Sequence, residues 1–396
     1  MKGPLAGIRV LDFTIAQQGP YATALLSDLG AEVIKVEQPG QGEVGRTIAR
    51  DPETRYSYYF LAINRGKKGI TVDLKSAKGR ELVLRLARDC DVVVENFRPG
   101  VMERLGLGYE AFRAVNPGII YASASAFGRR GRWGRKPGND ILAQAAGGLM
   151  SVTGHEGTPP TPVGVAIADH IGGLTLALGI LAALLHRQRT GEGQQVETSL
   201  LGSLLAAQGW ELTYQMLSGR PLGRAGRGHP LVGHIWHVYR TADGYMAIGG
   251  VHVHRWRDFC QAIGWPDLAD DPRFARTGDR MRNMRQLNAL LDEHFARCPT
   301  GEWLERLEAA DIFCAPVYDY EQVLREPQVY ENGYLVPFRH PRLGEIKLVN
   351  CPVRLSATPA AIQGPEPELG EHTEAVLASF GYSAEEIEAL RREGVV

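Results

Sequence analysis

The chain of 396 residues has only five cysteines, which are widely separated and include no Cys-x-x-Cys pair. This spacing argues against a disulfide framework and a thiolate metal site, and it favours a reducing compartment. The 44 basic and 45 acidic residues nearly cancel, so no overall charge attracts nucleic acid or an anionic membrane. The N-terminus has no apolar segment followed by a cleavage site. We therefore expect a cytoplasmic protein that binds neither nucleic acid nor membrane.

Other familiar signals are also missing. The longest uncharged apolar run, residues 171–185, is shorter than the roughly 20 residues that span a bilayer, so we predict a buried helix there. The first strand-to-helix turn, TIAQQGPY, lacks Gly-x-Gly-x-x-Gly, which disfavours a nicotinamide or flavin enzyme. No carboxylate or thiolate spacing accompanies the clustered histidines, so we expect no metal; these histidines are His229, His234, His237, His252 and His254.

The first half of the chain alternates between two periodicities. Short apolar runs predict strands and amphipathic runs predict helices, with strands at residues 8–13, 31–37, 91–95 and 119–123 and helices at 21–29 and 77–88. Strands that alternate with helices at this spacing form parallel sheets with right-handed crossovers. We therefore predict an α/β chain with a Rossmann-like, parallel-sheet large domain.

The composition changes at residues 218–230, a Gly-, Pro- and Arg-rich stretch that predicts a linker or mobile loop. We place the first part of the large domain at 1–217, a small α+β domain at 231–328, and a return segment that completes the large domain at 329–396. The apolar helices on either side of a strand at 196–198 should be buried on most sides.

Beyond the linker, the sequence predicts a hairpin around Asp243-Gly244 and helices near 282–296 and 301–310. Ser383 and Glu386 have the spacing of a capping box, which predicts a short terminal helix.

Four stretches in the same order together resemble the class III CoA transferases, the formyl-CoA transferase or CaiB/BaiF family. They are GPYATALLSDLGAEVIKVE, NRGKKGITVDLK, VVENFRPGVMERLGLGYE and DHIGGLTLALGILAALLHRQRTGEGQQVETSL. The resemblance implies that CoA, as substrate and acyl carrier, passes from an acyl-CoA donor to a small carboxylic acid. Aspartyl anhydride and aspartyl-CoA thioester intermediates would form on Asp169. It also implies an interlocked homodimer of ring-shaped chains.

Asp169 is also explained by a simpler hypothesis, because Asp is a favoured helix N-cap. From the sequence it stands just before a helix, and the N–H groups of Gly172 and Gly173 would face its carboxylate. Asp140 is a second acid that could orient the acyl group or gate water, or cap a helix of its own. CoA racemases resemble this family too and have a His at the position of Asn139, so the Asn favours transfer over racemisation.

Two further residues belong to the predicted active site. Gln17 lies in the first strand-to-helix turn, where a parallel sheet offers its ligand crevice, and the resemblance makes it an amide donor to the acyl intermediate. Tyr59 could line the same pocket. Alternatively, Gln17 is an ordinary polar residue of a loop and Tyr59 is an aromatic residue of the core.

The CoA nucleotide needs cations for its phosphates and an apolar slot for its adenine. The resemblance assigns these contacts to Lys75, Asn96, Phe97, Arg98, Arg104 and Lys136, although a solvated surface charge is the commoner role of any one Lys or Arg. Gln38 stands where some members carry an Arg near the adenine. Arg224 and Arg227, in a Gly-rich loop, could contact a dicarboxylate or be part of a flexible linker.

Three other functions remain open at this stage. A 2-acyl-CoA racemase and a CoA-dependent lyase or hydrolase would share the fold. A CoA-binding regulatory protein without catalysis would belong to another class.

Overall fold

The computed structural model describes residues 3–396, which pack as two compact units. Unit 1 comprises the chain up to Gly147, Val163–Gln208 and Gln328–Val396, and unit 2 comprises Gly148–Pro162 and Gly209–Pro327. The chain therefore leaves unit 1 twice and returns to it twice.

The described residues form strands and helices that are numbered here in chain order. The strands are β1 (Arg9–Asp12), β2 (Glu32–Glu37), β3 (Lys68–Thr71), β4 (Val92–Glu95), β5 (Ile120–Ser125), β6 (Gln195–Ser199), β7 (His237–Arg240), β8 (Tyr245–Gly250), β9 (Phe313–Pro316), β10 (Leu335–His340) and β11 (Gly344–Val349).

The α-helices are α1 (Gln18–Asp28), α2 (Tyr58–Asn64), α3 (Ala77–Ala87), α4 (Val101–Arg104), α5 (Tyr109–Val115), α6 (Asp140–Ala146), α7 (Leu149–Val152), α8 (Ile167–Thr190), α9 (Leu200–Ala207), α10 (Gly209–Ser218), α11 (Trp256–Ala262), α12 (Thr277–Arg282), α13 (Met284–Phe295), α14 (Thr300–Ala309), α15 (Tyr320–Val323), α16 (Pro327–Glu331), α17 (Thr373–Ser379) and α18 (Ala384–Arg392). Short 3-10 helices lie at Val44–Thr47, Val253–Arg255 and Pro266–Ala269.

Unit 1 is built on a six-stranded parallel sheet with the order β3-β2-β1-β4-β5-β6. Alternate residues of its strands point to opposite faces. Leu11 and Val93 pack with α3 and α5, whereas Val10 and Val92 pack with α1 and α8. Helices on both faces explain why the inner strands are continuous apolar runs. The predicted α/β class is confirmed.

The apolar helices that follow the sheet differ from the prediction. Three helices, α8, α9 and α10, occupy the segment where two were expected. α8 packs against α1 and α9 but leaves Leu174, Leu178 and Leu185 exposed, and α10 contains no buried residue. Burial on most sides is therefore wrong for these helices in the single chain. Within residues 3–396, α8 is also the one helix long and apolar enough to cross a membrane, by length and composition only.

Unit 2 contains an antiparallel sheet with the order β7-β8-β9. The predicted hairpin is confirmed as β7 and β8, and the two predicted helices are α13 and α14. Their apolar faces form one core in which Phe259, Leu291 and Trp303 are buried. This core holds unit 2 together independently of the parallel sheet.

The return segment of unit 1 closes on the edge of the parallel sheet. The antiparallel pair β10 and β11 precedes α17, where the His372 N–H donates to the Gly69 carbonyl of β3 over 2.8 Å. The capping box at α18 is confirmed, because Ser383 and Glu386 exchange backbone-to-side-chain hydrogen bonds of 2.7 and 3.2 Å.

Candidate active site

Each parallel strand ends in a polar residue, so the carboxyl edge of the sheet is a polar crevice. These residues are Asp12, Glu37, Thr71, Glu95, Ser125 and Ser199. The strand order reverses between β1 and β4, which is where open α/β sheets bind ligands. Asn96 joins the two turns across this point, because its side-chain amide makes hydrogen bonds of 2.8 Å to both the N–H and the carbonyl of Ile15.

Asp169 lies in the first turn of α8. The helix begins at Ile167, so Asp169 is its third residue and does not stand before it, as the sequence had suggested. Its carboxylate is partly buried, and the backbone N–H of Gln18, at the start of α1, lies near enough to lower its pKa. The third helical residue is a favourable place for an acid, because the unpaired N–H groups carry partial positive charge there.

Asp140 caps α8 from a distant part of the chain. Its Oδ1 accepts hydrogen bonds from the N–H groups of Ala168 (2.7 Å) and Asp169 (3.2 Å), and its Oδ2 accepts one from Gln144 (2.6 Å). Asn139, not Asp140, caps α6, through a 3.4 Å contact with the Leu142 N–H. Asp140 is therefore a helix cap, but of α8 and not of its own helix α6. This cap brings Asp140 next to Asp169.

The proximity of these acids changes the proton affinity of the site. Burial raises the pKa of Asp169 to about 7, and the negative charge of Asp140 raises it too, while the Gln18 N–H lowers it. Within residues 3–396, no lysine or arginine lowers this pKa. Near neutral pH, Asp169 therefore exists both as a carboxylate, which can act as a nucleophile, and as a neutral acid.

Gln17 reaches α8 through His170, a residue that the sequence analysis did not single out. The Gln17 amide nitrogen lies 3.2 Å from His170 Nδ1, which lies 2.9 Å from the Ala166 carbonyl. Nδ1 accepts from Gln17 only without a proton and donates to Ala166 only with one. The Gln17 amide nitrogen carries two N–H groups, so at least one of them is available to a ligand in either tautomer of His170.

Tyr59, in the first turn of α2, lies within electrostatic range of the Asp169 carboxylate. Burial raises its pKa well above the usual value, and the carboxylates of Asp169 and Glu43 raise it further. The phenol therefore stays protonated at any physiological pH and can donate a hydrogen bond. The structure thus brings Gln17 beside His170 and Asp140 onto the backbone of Asp169, and it places Tyr59 within electrostatic range of the Asp169 carboxylate.

Gly172 and Gly173 have a different role from the one expected. Both lie inside α8, where a backbone N–H belongs to the helical ladder and does not point at Asp169. A Cβ at Gly172 would come within 2.6 Å of the Gln18 side chain, and one at Gly173 within 2.8 Å of the Gln18 carbonyl. The glycines therefore allow α1 to approach α8 closely, which brings the Gln18 N–H to Asp169.

A buried ionic cluster lies beneath the Gln17 turn, and the sequence analysis missed it. Lys67 is 2.9 Å from Asp12, and both side chains are fully buried. Lys35, also fully buried, donates to the Thr14 carbonyl over 2.9 Å. Burial raises the pKa of Asp12, but Lys67 and Lys35 outweigh it and lower the pKa to about 2. The sequence contained one sign of this cluster, which is the acidic residue Asp12 at the end of the first strand.

The residues assigned to CoA by resemblance follow the ends of parallel strands. Lys75 follows β3, Asn96 and Arg98 follow β4, and Lys136 lies beyond β5. Lys75, Arg98, Arg104 and Lys136 are exposed, Phe97 is half-buried, and Asn96 is already bonded to the Gln17 turn. The Lys136 ammonium lies over the rings of Phe127 and Trp133, 5.6 and 5.0 Å from their centroids.

In unit 2, the loop arginines make internal contacts. Arg227 forms a two-pronged ion pair with Asp292, and Arg224 donates to the Thr153 carbonyl over 2.6 Å. The histidines of this region are dispersed: His229 lies 3.0 Å from Glu211, and His252 stacks on His254. Residues 3–396 hold no group of three or more His, Cys, Asp or Glu side chains able to hold a metal ion.

Comparison with known proteins identifies the family. Residues 5–373 match the model of CoA-transferase family III. Succinyl-CoA:glutarate CoA-transferase of Mus musculus is 37% identical over 396 residues, covering 99% of this chain and 90% of that protein. Formyl-CoA:oxalate CoA-transferase of Streptomyces coelicolor is 35% identical, covering 99% of both.

Solved structures agree with these sequence matches. A CaiB/BaiF family protein from Brucella suis superimposes with a TM-score of 0.86 at 32% identity, covering 96% of this chain and all of that one (100%). A Mycobacterium tuberculosis protein gives 0.84 at 36% identity, covering 94% and 99%. The resemblance seen in the sequence is therefore confirmed: the chain is a CoA transferase and belongs to CoA-transferase family III.

Proposed function

We propose that this chain transfers CoA between an acyl-CoA and a carboxylic acid, with Asp169 as the covalent nucleophile. The observation that carries the proposal is the environment of Asp169: it is partly buried in the first turn of α8, Asp140 binds the N–H groups of Ala168 and Asp169 beside it, and burial raises its pKa to about 7. Such a carboxylate is less stabilised than one in water and attacks a thioester more readily.

The reaction divides into balanced steps. An Asp169 oxygen attacks the thioester carbonyl, the C–S bond breaks, and CoA leaves as a thiolate, which gives an acyl-aspartyl anhydride. The thiolate then attacks the Asp169 carbonyl and releases the donor acid, which leaves an aspartyl-CoA thioester. The acceptor carboxylate repeats both steps in reverse and leaves as acyl-CoA, so that Asp169 is restored and no proton is consumed.

Neighbouring groups have separate tasks in this scheme. The Gln18 N–H near the Asp169 carboxylate, together with the protonated Tyr59, supplies donors for the oxyanions of the tetrahedral intermediates. The Gln17 amide supplies a further donor, because its nitrogen has a second N–H besides the one that can bond His170. Asp140 fixes the start of α8 and keeps the site electronegative, which opposes a resting Asp169 anion.

We assign the CoA nucleotide to unit 1, at the carboxyl edge of the parallel sheet. The exposed cations there can reach phosphates, and the half-buried Phe97 offers a flat apolar face to adenine. The residues of this assignment are Lys75, Asn96, Phe97, Arg98, Arg104 and Lys136. The Asn96 side chain is already hydrogen-bonded to Ile15, so we assign only the backbone of Asn96 to CoA binding.

We propose a dicarboxylate as one of the exchanged acids. Relatives with 33–37% identity are named for succinyl-CoA and glutarate, acetyl-CoA and oxalate, formyl-CoA and oxalate, or succinyl-CoA and D-citramalate. Each of these names includes a dicarboxylate. We also propose a cytoplasmic location, where acyl-CoA donors and reduced cysteines coexist.

The substrate test offers succinyl-CoA, acetyl-CoA or formyl-CoA with isotopically labelled oxalate, glutarate or acetate, and identifies the labelled acyl-CoA by mass. Transfer to a dicarboxylate above transfer to acetate is expected. Free CoA without labelled acyl-CoA would indicate a hydrolase, and loss of α-deuterium from a 2-methylacyl-CoA would indicate a racemase. Asp169→Asn is the matched control for all three readouts.

Unit 1 also supports the proposal of an interlocked homodimer. The face formed by α6, α8 and α9 exposes apolar side chains that a single chain leaves in water: Ile141, Leu142, Leu174, Leu178, Leu185 and Leu205. Several large apolar side chains exposed on neighbouring helices are typical of an interface. Sedimentation at nanomolar concentration should show a dimer, because linked rings cannot separate while folded; a folded, active monomer would refute the arrangement.

A further inference from the structure

The turn between β1 and α1 is held by side chains from other segments. The Thr14 N–H donates to the Asp12 carboxylate over 2.8 Å, and its carbonyl accepts from Lys35 over 2.9 Å. Ile15 is held at both backbone groups by Asn96. The backbone just before Gln17 therefore has little freedom to move, which is unusual for a loop.

Ala16 completes this turn in a strained conformation. Its φ of +58° lies in the left-handed region, which disfavours residues with a Cβ. Its N–H donates to Glu43 Oε2 over 3.0 Å, and the same oxygen accepts the Gly45 N–H over 2.7 Å. Glu43 is 6% exposed, and the buried Lys35 ammonium lies 3.7 Å from its other oxygen. A buried, charge-balanced carboxylate thus holds the one strained residue of the turn.

The strain at Ala16 has a direct consequence for the active site. The next two residues are Gln17, whose amide lies 3.2 Å from His170 Nδ1, and Gln18, which packs against Gly172 and Gly173 of α8 and whose N–H lowers the pKa of Asp169. A change of φ at Ala16 would redirect both groups. Strained backbone persists where its surroundings hold it, and such positions cluster at active sites.

We propose that Glu43 is a positioning residue for CoA transfer. It holds Ala16 in the left-handed conformation and so aims the Gln17 amide and the Gln18 N–H at Asp169. This inference rests on the proposed role of Asp169. Glu43 touches neither substrate nor nucleophile in this scheme, and its effect travels through the backbone of the turn.

The test combines Glu43→Ala with Ala16→Gly. Glu43→Ala should lower kcat about 10- to 100-fold and change the KM for acyl-CoA less than about threefold, because the donors near Asp169 are misplaced while the nucleotide contacts persist. Adding Ala16→Gly should restore kcat at least about fivefold, because Gly adopts a positive φ without strain. Glu43→Gln, which keeps an acceptor oxygen, should fall between wild type and Glu43→Ala.

Asp28→Asn is the matched control. It breaks a buried ion pair with Arg65 at the far end of α1, so it should lower stability without lowering kcat. A Glu43→Ala enzyme with kcat within about twofold of wild type would overturn the inference, as would a loss that Ala16→Gly does not relieve. If Glu43→Ala fails to fold, the same comparison is made with Glu43→Gln, with and without Ala16→Gly.

Wild-type transfer is measured first. A wild type without transfer overturns the proposed function and this inference with it. An active wild type with an insensitive Glu43 overturns only the inference.

Discussion

Two aspartates of unit 1 show opposite proton affinities although both are withdrawn from water. Asp12 is fully buried, yet Lys67 and Lys35 outweigh the effect of burial and lower its pKa to about 2. Asp169 is only partly buried, and burial together with Asp140 raises its pKa to about 7. The difference lies in the neighbouring charge. A buried acid with cations is structural, whereas a buried acid without them is held ready to react.

The largest effect on activity should come from removing Asp169, the acid without a cation beside it. Asp169→Ala should lower CoA transfer by about 10⁴-fold or more, because it removes the nucleophile, and leave CoA binding nearly unchanged. Transfer is followed by mass, and CoA binding by calorimetry. Turnover above about 1% of wild type would contradict the assignment.

Removing Asp12, the acid that is paired with Lys67, should instead lower the stability of the fold. Asp12→Asn leaves the fully buried Lys67 without its counter-charge, so the free energy of unfolding should fall by about 3–5 kcal/mol. Denaturant titration at fixed protein concentration measures this change, with Asp89→Asn, an exposed residue just after α3, as the control. A decrease below about 1 kcal/mol would mean that the cluster does not depend on this pair.

Asp169 should also make the fold less stable as the pH rises. Its pKa is about 7 when folded and 3.8 in the reference state, so the folded chain binds the proton more tightly. The stability that this proton confers is present below about pH 4 and is lost as the pH rises through about 7. Asp169→Asn should therefore gain up to about 4 kcal/mol over the wild type at pH 8 compared with pH 4, which is what a rise of the pKa from 3.8 to about 7 implies. A difference that is independent of pH would contradict the raised pKa.

Asp140 should set the pH at which Asp169 becomes active. Asp140→Asn removes a negative charge but keeps an oxygen for the Ala168 N–H, so the rise of kcat/KM with pH should move about 0.5–1 pH unit lower. Asp140→Ala, which also removes the cap, serves as the comparison. An unmoved profile, or one that moves to higher pH, would show that Asp140 does not act on Asp169 through charge.

The smallest effect is expected for Arg104, which is neither of the two aspartates compared above. Arg104→Ala should raise the KM for acyl-CoA about three- to fivefold and leave kcat within about twofold, because a phosphate contact binds ground and transition states alike. Arg113→Ala, on the exposed side of α5, is the control. A fall in kcat at constant KM would assign Arg104 to the chemistry instead.

The sequence predicted elements whose signal is local. The alternation of strands and helices was found, with ends that differ by a few residues. β3 was missed, because KGIT is only four residues long and follows Lys67, which gives no clear periodicity. The burial of α8 was overestimated, because an apolar face does not reveal whether its partner lies in the same chain.

The site was predicted in the same uneven way. The resemblance pointed to Asp169, and residue type pointed to Asp140, but the start of α8 was placed too late. Ala166, at its N-cap, has no capping side chain, and the cap comes from Asp140, 28 residues before Ala168. Asp12 and Lys67 are 55 residues apart. Contacts across such separations depend on tertiary packing, which no short motif records.

The most direct test of the account is to find the covalent intermediate. Enzyme incubated with an acyl-CoA, without acceptor, is digested and its peptides are weighed, with Asp169→Asn as the control. We expect an acyl or CoA adduct on the peptide that contains Asp169, and none in the variant. An adduct on a Cys or Ser peptide, or one that persists in the variant, would contradict Asp169 as the nucleophile.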